Sequence, residues 1–341
     1  MSRLDYPAPH LRTSLKSFAA SALLTAVLTH PQLGIAQAPG WAPSKPIEFI
    51  VGSGPGGSGD LTMRTVQKIF NDRKLMPVSS AVINKAGGGG SISWAMLSQR
   101  SGDAHVIALT FPNLLTNHIA GASPLRHADL TALAHLSSDW VVLIARSDFP
   151  MRNGTELLQK LAKEPGSFSI AFATARGNAP HIATGLALRA SGVDVAKMRF
   201  VVFKSGGEVM PALLGGHVDL VATSPSVANA HMVAGAVKAI AVSSPQRLSG
   251  NFAKVPTWRE LGANTVFANW RGIVGPKNLT PAQVAFWDDA FSKLVQTDEW
   301  KADVDRNLWT TTYLNSTDTQ KFLDDHYEEL KPIMRDLGVS K

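Results

Sequence analysis

The sequence contains no cysteine. Disulfides, thiolate metal sites and cysteine nucleophiles are thereby excluded, as is the lipid-bearing cysteine that anchors a bacterial lipoprotein. Charge is scarce too. Asp, Glu, Lys and Arg make up 17% of the 341 residues, against the usual quarter, so solubility leans on Ser, Thr, Asn, Gly and Pro. No apolar run approaches the roughly 18 residues a membrane-spanning helix needs. Catalytic signatures are missing as well. No GxSxG elbow surrounds any serine, no serine has a lysine three positions on, and no Gly-Lys-Ser/Thr P-loop is present. The ten histidines are scattered without HExxH or a close pair on one helix face, so neither a metal nor another cofactor is expected. A Lys/Arg stripe interleaved with aromatics is also lacking, and nucleic acid is not an expected partner.

What is present begins with an export signal. Arg3, Arg12 and Lys16 precede the apolar stretch Phe18 to Leu28, and GIAQA (Gly34 to Ala38) supplies small residues for a peptidase. Residues 1–38 therefore read as a secretory signal peptide. Cleavage after Ala36 is favoured over Ala38, because Pro39 is a poor residue just past the cut. Setting aside the +2 of that segment leaves +5 of the formal +7, a modest positive field that suits small anions. The expected product is an exported, periplasmic, monomeric protein.

Beyond residue 39, strand and helix signals alternate. Ile47 to Val51, Val78 to Ile83, His105 to Thr110, Trp140 to Ala145, Ser169 to Ala173, Arg199 to Phe203, Val218 to Ala222, Val237 to Val242 and Arg271 to Val274 read as buried strands. Helical patterns cover Asp60 to Arg73, Ser91 to Gln99, Gly154 to Lys163, Asn178 to Ala190, Gly206 to Leu214 and Pro225 to Ala234, with two long helices after Thr280. Ser91 is the expected cap of its helix, and Pro211 is a warning inside another. This is an α/β pattern favouring parallel sheets. Crossings between two halves are expected near Ala145 to Asp148 and near Asn264 to Trp270. They give a first lobe of residues 39–145 plus 268–341 and a second of 146–267.

The loop VGSGPGGSGD (Val51 to Asp60) joins the first strand to the first helix. Its glycines leave backbone N–H groups bare, for a nucleotide phosphate, a carboxylate or nothing. GSGPGG satisfies GxGxxG, but Asp72 falls before the second strand and Pro55 stiffens the turn, which argues against a dinucleotide. An anion held by amides at a helix N-terminus remains, with Ser53 and Ser58 adding hydroxyls and Asp60 serving donors of the loop itself. Similar loops recur after later strands: NKAGGGGS (Asn84 to Ser91), TARGNAPH (Thr174 to His181), KSGGE (Lys204 to Glu208) and TSPSVAN (Thr223 to Asn229). In open α/β sheets the ligand crevice lies outside such strand ends.

PSKPIEFIVGSGPGGSGD, then FATARGNAPHIATGLAL, then VFKSGGEVMPALLGGHVDL with TSPS, then WRGIVGP (Trp270 to Pro276) and ELKPIMRDLG resemble, in order, the periplasmic solute-binding proteins of tripartite tricarboxylate transporters, the Bug family. The resemblance implies a two-lobed binding protein, with two mixed or parallel sheets flanked by helices, that closes on a small carboxylate and presents it to membrane permease subunits. It also implies ligand contacts from Ser53, Gly54, Pro55, Gly56, Gly57 and Ser58 on one side and from Thr174, Arg176, Gly177, Asn178 and His181 on the other. Lys204, Gly206 and Ser224 complete the expected set. The GGE and TSPS segments are closer to tricarboxylate-type members than to amino-acid binders. Where the family has PPGGSTD this chain has SGPGGSGD, so a threonine hydroxyl is missing at Gly59. Arg176, if it points inward, offers a bidentate clamp for a second carboxylate. Two rivals stay open: an exported enzyme acting on an organic acid, with His181 as base and Arg176 as clamp, and a ligand-sensing partner of a membrane kinase.

Overall fold

The computed structural model describes residues 40–340, Ser205 excepted; the expected signal peptide lies outside the described residues. In chain order the elements are β1 (Ile47–Val51), α1 (Ser58–Asp72), β2 (Ser80–Asn84), α2 (Ser91–Ser98), β3 (Val106–Thr110), α3 (Asn113–Ile119), β4 (Thr131–Asp139), β5 (Val142–Arg146) and α4 (Gly154–Lys163). There follow β6 (Ser169–Ala173), α5 (Ala179–Ala190), β7 (Arg199–Phe203), α6 (Gly206–Leu214), β8 (Leu220–Thr223), α7 (Pro225–Val233) and β9 (Val237–Val242). The last are β10 (Asn269–Gly275), α8 (Pro281–Gln296), α9 (Asp298–Asn307), β11 (Thr310–Leu314) and α10 (Ser316–Asp336).

The strands form two mixed sheets, one of order β11-β4-β10-β3-β1-β2 and one of order β7-β6-β8-β5-β9. Apolar β1 is flanked by parallel β2 and β3, as βαβ units through α1 and α2 require. The pairs β10–β3, β10–β4 and β11–β4 are antiparallel. In the second sheet β6 runs parallel to β7 and β8, and β5 runs antiparallel to β8 and β9. This is the expected α/β fold in two lobes, with antiparallel strands added where the chain returns.

Each sheet buries its own core. In the first lobe Phe70 of α1 and Trp287 and Phe291 of α8 stack on one another, with Phe49 of β1 against Phe70. In the second, Phe172, Ile182 and Leu188 are fully buried.

Three features differ from expectation. The first crossing falls earlier than Ala145 to Asp148: β4 ends at Asp139 in one sheet and Val142–Arg146 already pairs with β8 and β9 in the other. The apolar run read as one strand thus begins just past the crossing, at Trp140 and Val141. Ser91 does not cap α2. Gly90 is the N-cap, and the Ser91 hydroxyl accepts from Asn117 Nδ2. The C-terminal helix does not stay on the first lobe. Its start packs on β4 and α3, whereas Met334 and Leu337 join the buried cluster of Ile182 and Leu188. Pro211 sits inside α6, which continues through it.

Candidate ligand-binding site

The ends of β1, β6 and β8 and the starts of α1, α5 and α7 converge on one cavity between the lobes. Its first-lobe wall is Ser53, Gly57, Ser58 and Gly59, with Phe111 before α3, Asn113 at its first position, and Asn269 and Arg271 of β10. The second-lobe wall is Ala173, Thr174, Asn178 and Pro180 from one junction and Ala222, Thr223, Ser224 and Val227 from another.

Two helices present their N-termini here without a side-chain cap. The N-cap of α1 is Gly57, in extended conformation at φ −78° and ψ 162°, and no side chain accepts from its first amides. The N-cap of α7 is Ser224, whose hydroxyl also leaves the helix uncapped and donates instead to Asp139 Oδ2. The first amides of a helix have no intrahelical acceptor, and the dipole puts partial positive charge beside them. Glycine is required for this architecture at two places. A Cβ on Gly52 would stand 2.7 Å from both Gly90 Cα and Ser93 Oγ, so the first loop and the glycine run pass in backbone contact. A Cβ on Gly59 would stand 3.0 Å from Leu109 Cδ2 and 3.2 Å from Ser53 Oγ. The missing threonine at Gly59 thus follows from tight packing under the loop.

The third junction satisfies itself. Asn178 Oδ1 accepts from His181 N at 2.9 Å, capping α5. Gly177 N donates to His181 Nδ1 at 3.0 Å. The His181 ring is buried beside Phe172 and Phe200, and burial, helped by nearby Arg176, lowers its pKa to about 4. Thr174, on the cavity wall, has φ +80°, a strained conformation for a β-branched residue.

Behind the first wall lies a buried ion pair. Arg271 and Asp139 have side-chain exposures of 4% and 0%, and Arg271 Nη2 stands 3.3 Å from Asp139 Oδ2. The guanidinium also donates to the Ser58 hydroxyl and to Asn269 Oδ1 at 2.7 Å. Ser58, Arg271, Asp139 and Ser224 thus form one chain from the α1 terminus to the α7 terminus, spanning both lobes. Burial raises the Asp139 pKa to about 6 despite the opposing charge of Arg271, and burial also lowers that of Arg271. Ser53 Oγ and Asn113 Nδ2, both in the wall, are buried without a hydrogen-bond partner among the described residues.

The structure brings together Ser53, Gly57, Ser58, Thr174, Asn178 and Ser224 from the expected set and leaves the others off the lining. Gly54 and Pro55 form the outer part of the first loop. Gly56 lines a separate groove against α6 and α7, and its N–H is spent on Asp60 Oδ2 at 3.1 Å. Asp60 serves its own loop, as expected. Burial opposes its charge, but bonds from Arg64, Asn84 and Gly56 together lower its pKa. Arg176 is exposed and clamps nothing in the cavity. A Cβ on Gly177 would meet Met334 Cε at 2.7 Å, so that glycine faces the C-terminal helix. Lys204 is exposed, its N–H donating to Glu208 Oε2 at 3.1 Å, and Gly206 opens α6. The pairing of His181 as base with Arg176 as clamp finds neither residue on the cavity wall.

Sequence reasoning named none of Asn113, Asn269, Asp139 and Arg271 as site residues. The signal was partial: ANWRGIVG embeds one charge in an apolar strand and Asp139 directly precedes the apolar run Trp140 to Ala145, and a buried charge needs a partner. Trp270, beside Arg271, is buried with Phe322, His326 and His135. The four glycines 87–90 all have positive φ and make a turn whose carbonyls accept from Asn117. Among the described residues no group of three His, Cys, Asp or Glu could hold a metal ion, and no helix is long and apolar enough to cross a membrane.

Two hinged α/β lobes around a polar cleft define the class of two-lobed solute-binding proteins. Residues 63–339 match the model of the tripartite tricarboxylate transporter family receptor, and the chain belongs to that family. It is 26% identical over 315 residues to the UPF0065 protein in the gbd 5′ region of Cupriavidus necator, covering 91% of this chain and 94% of that one. A TctC solute binding protein from Polaromonas, solved with no ligand, is similar at 26% identity and TM-score 0.63, over 86% of this chain and 99% of the other. Rpa4515 of R. palustris, solved with adipate, has the same fold at TM-score 0.80 and 17% identity, over 87% of this chain and 99% of the other.

Proposed function

We propose that this receptor captures a small organic acid with two or more carboxylates in the periplasm. It closes its lobes on the acid and delivers it to the membrane subunits of a tripartite tricarboxylate transporter. The carrying observation is that the uncapped N-termini of α1 and α7 and the side chain of Arg271 meet at one cavity between the lobes. Amides of this kind donate to carboxylate oxygens without further charge, and Ser53, Asn113 and Asn269 supply side-chain donors beside them. The adipate held by the R. palustris protein of the same fold supports a dicarboxylate.

Charge-assisted hydrogen bonds contribute roughly 1.5 to 3 kcal/mol each, so about four of them reach the ~8 kcal/mol of micromolar binding when little has to be ordered. The connections at Trp140–Val141 and near Ala268 are the hinge. The part of the chain before the first of these, together with residues from β10 onward, is the first lobe, and α10 joins it to the second.

A thermal-shift screen of malate, succinate, adipate, citrate and phthalate tests this function. An acid that binds the native state alone raises the melting temperature, by an amount that grows with the logarithm of its concentration over its Kd. A shift with at least one diacid or triacid, absent with the corresponding diamide, is expected. No shift with any of them contradicts the proposal.

A further inference from the structure

We propose that the acid binds together with one proton, which Asp139 takes up. The inference rests on the carboxylate function just given and concerns the buried pair behind the site. Among the described residues Arg271 is the one cationic side chain lining the cavity, and Asp139 already matches its charge. A ligand carboxylate seated against Ser58 and Arg271 therefore places two negative groups on one buried cation, which a site of low polarity strongly disfavours.

The surroundings offer no second cation. From β10 the group facing Asp139 is Arg271. From α1 and α7 the facing groups are the Ser58 and Ser224 hydroxyls, and β11, paired with β4, carries no charged side chain. Asp60 and Arg64 of α1 are engaged with each other and with Asn84. Within β4, His135 is bound to the Thr312 carbonyl at 2.7 Å.

Uptake of a proton from solvent removes the conflict. Before binding, Arg271 and Asp139 are a neutral pair and the acid is an ion in water. Afterwards the guanidinium faces the ligand carboxylate and Asp139 is a neutral carboxylic acid. No bond to the ligand forms and no other group changes charge. The new O–H donates to the Ser224 hydroxyl, which can accept as readily as donate, so the contact between the lobes survives. Burial has already moved Asp139 toward this change, to a pKa of about 6.

Titration calorimetry of the protein with adipate, at pH 7 in PIPES and in Tris, reads the proton directly, because the measured heat then includes the buffer's ionisation. The expected result is uptake approaching one proton per adipate, with affinity falling close to tenfold between pH 7 and pH 8, where adipate itself stays fully ionised. Asp139→Asn is expected to abolish the buffer dependence and flatten the pH profile. Saturable binding with no buffer dependence in the wild type overturns the inference and leaves the binding function standing, as does uptake that persists in Asp139→Asn. Should that variant fail to fold, the wild-type pH profile decides alone. Absence of binding by every acid in the screen is a different result, which removes the binding function and the inference with it.

Discussion

The two strand–helix junctions that face each other across the cavity, β1 to α1 and β6 to α5, look alike in sequence: glycine, small polar residues, then a helix. They are built differently. At the first junction Gly57 leaves the start of α1 uncapped, and Asp60, one turn in, reaches back to Gly56 on the outer side of the loop. At the second, Asn178 caps α5 and His181 accepts from Gly177, so that junction's donors are largely spent internally. Recognition therefore does not come from two equivalent amide nests. One nest and one wall face each other, and α7 opposes them with a single free early amide, that of Ser226, because Pro225 has no N–H, Val227 N donates to Ser224 O at 3.1 Å and the Ser224 hydroxyl is drawn away to Asp139. An unspent helix terminus is left where the residue that would cap it is glycine or is occupied elsewhere.

The most damaging way to break this arrangement is Arg271→Ala. It leaves Asp139 buried without its partner, either charged or forced to take up a proton, and the expected loss is up to about 3 to 5 kcal/mol in urea denaturation at pH 7, together with loss of every acid-induced thermal shift.

Next in size is the pH response of the capped junction. His181 is neutral when folded, with a pKa of about 4, and titrates near its ordinary value when unfolded. Because its folded pKa is depressed, its contribution is present above about pH 6.5 and is lost as pH falls through about 4. The loss is about 3 kcal/mol. Urea midpoints measured across that interval should fall, and His181→Phe should flatten the fall.

Gly57→Asp sharpens the contrast most, because it supplies at α1 the cap that α5 already has. The backbone there is extended and accepts any residue, so stability is expected to rise by about 0.5 to 1.5 kcal/mol while acid affinity drops at least tenfold. Asn178→Ala does the converse, costing about 1 kcal/mol of stability as the α5 cap is lost with a smaller loss of affinity. Arg176→Ala should leave both stability and affinity unchanged within about 0.5 kcal/mol, since its side chain is exposed outside the cavity.

Much of the scaffold was legible. Ile47–Val51, Ser169–Ala173, Arg199–Phe203 and Val237–Val242 are strands over the expected residues, because runs rich in β-branched and aromatic residues between turn signals are hard to mistake, although Arg199–Phe203, expected to be buried, is a half-exposed edge strand. The strand β4 escaped because TALAHLSSD is small and polar. It is nevertheless buried along almost its whole length, since it sits between β10 and β11 with α10 packed on it. The strand β11, TTTYL, and the short helix α3, NLLTNHI, carry too little periodicity to be read. At the site, loop composition located the walls, but which side chains face inward depends on the twist of each turn. Arg176 sits in a polar loop and points to solvent, whereas Arg271 is embedded in an apolar strand and points to Asp139, a partner 132 residues away in sequence that no local pattern names.

The central claim, that the bare amides at the starts of α1 and α7 hold the ligand, is tested most directly by backbone amide NMR of the labelled protein titrated with adipate. The account predicts that the amides of Ser58, Gly59 and Ser226 shift and gain exchange protection with the same saturation curve, while Val227 N–H, already bonded to Ser224 O, and His181 N–H, already bonded to Asn178, change least among the helix starts. Saturable binding that leaves Ser58 and Gly59 unmoved would contradict it.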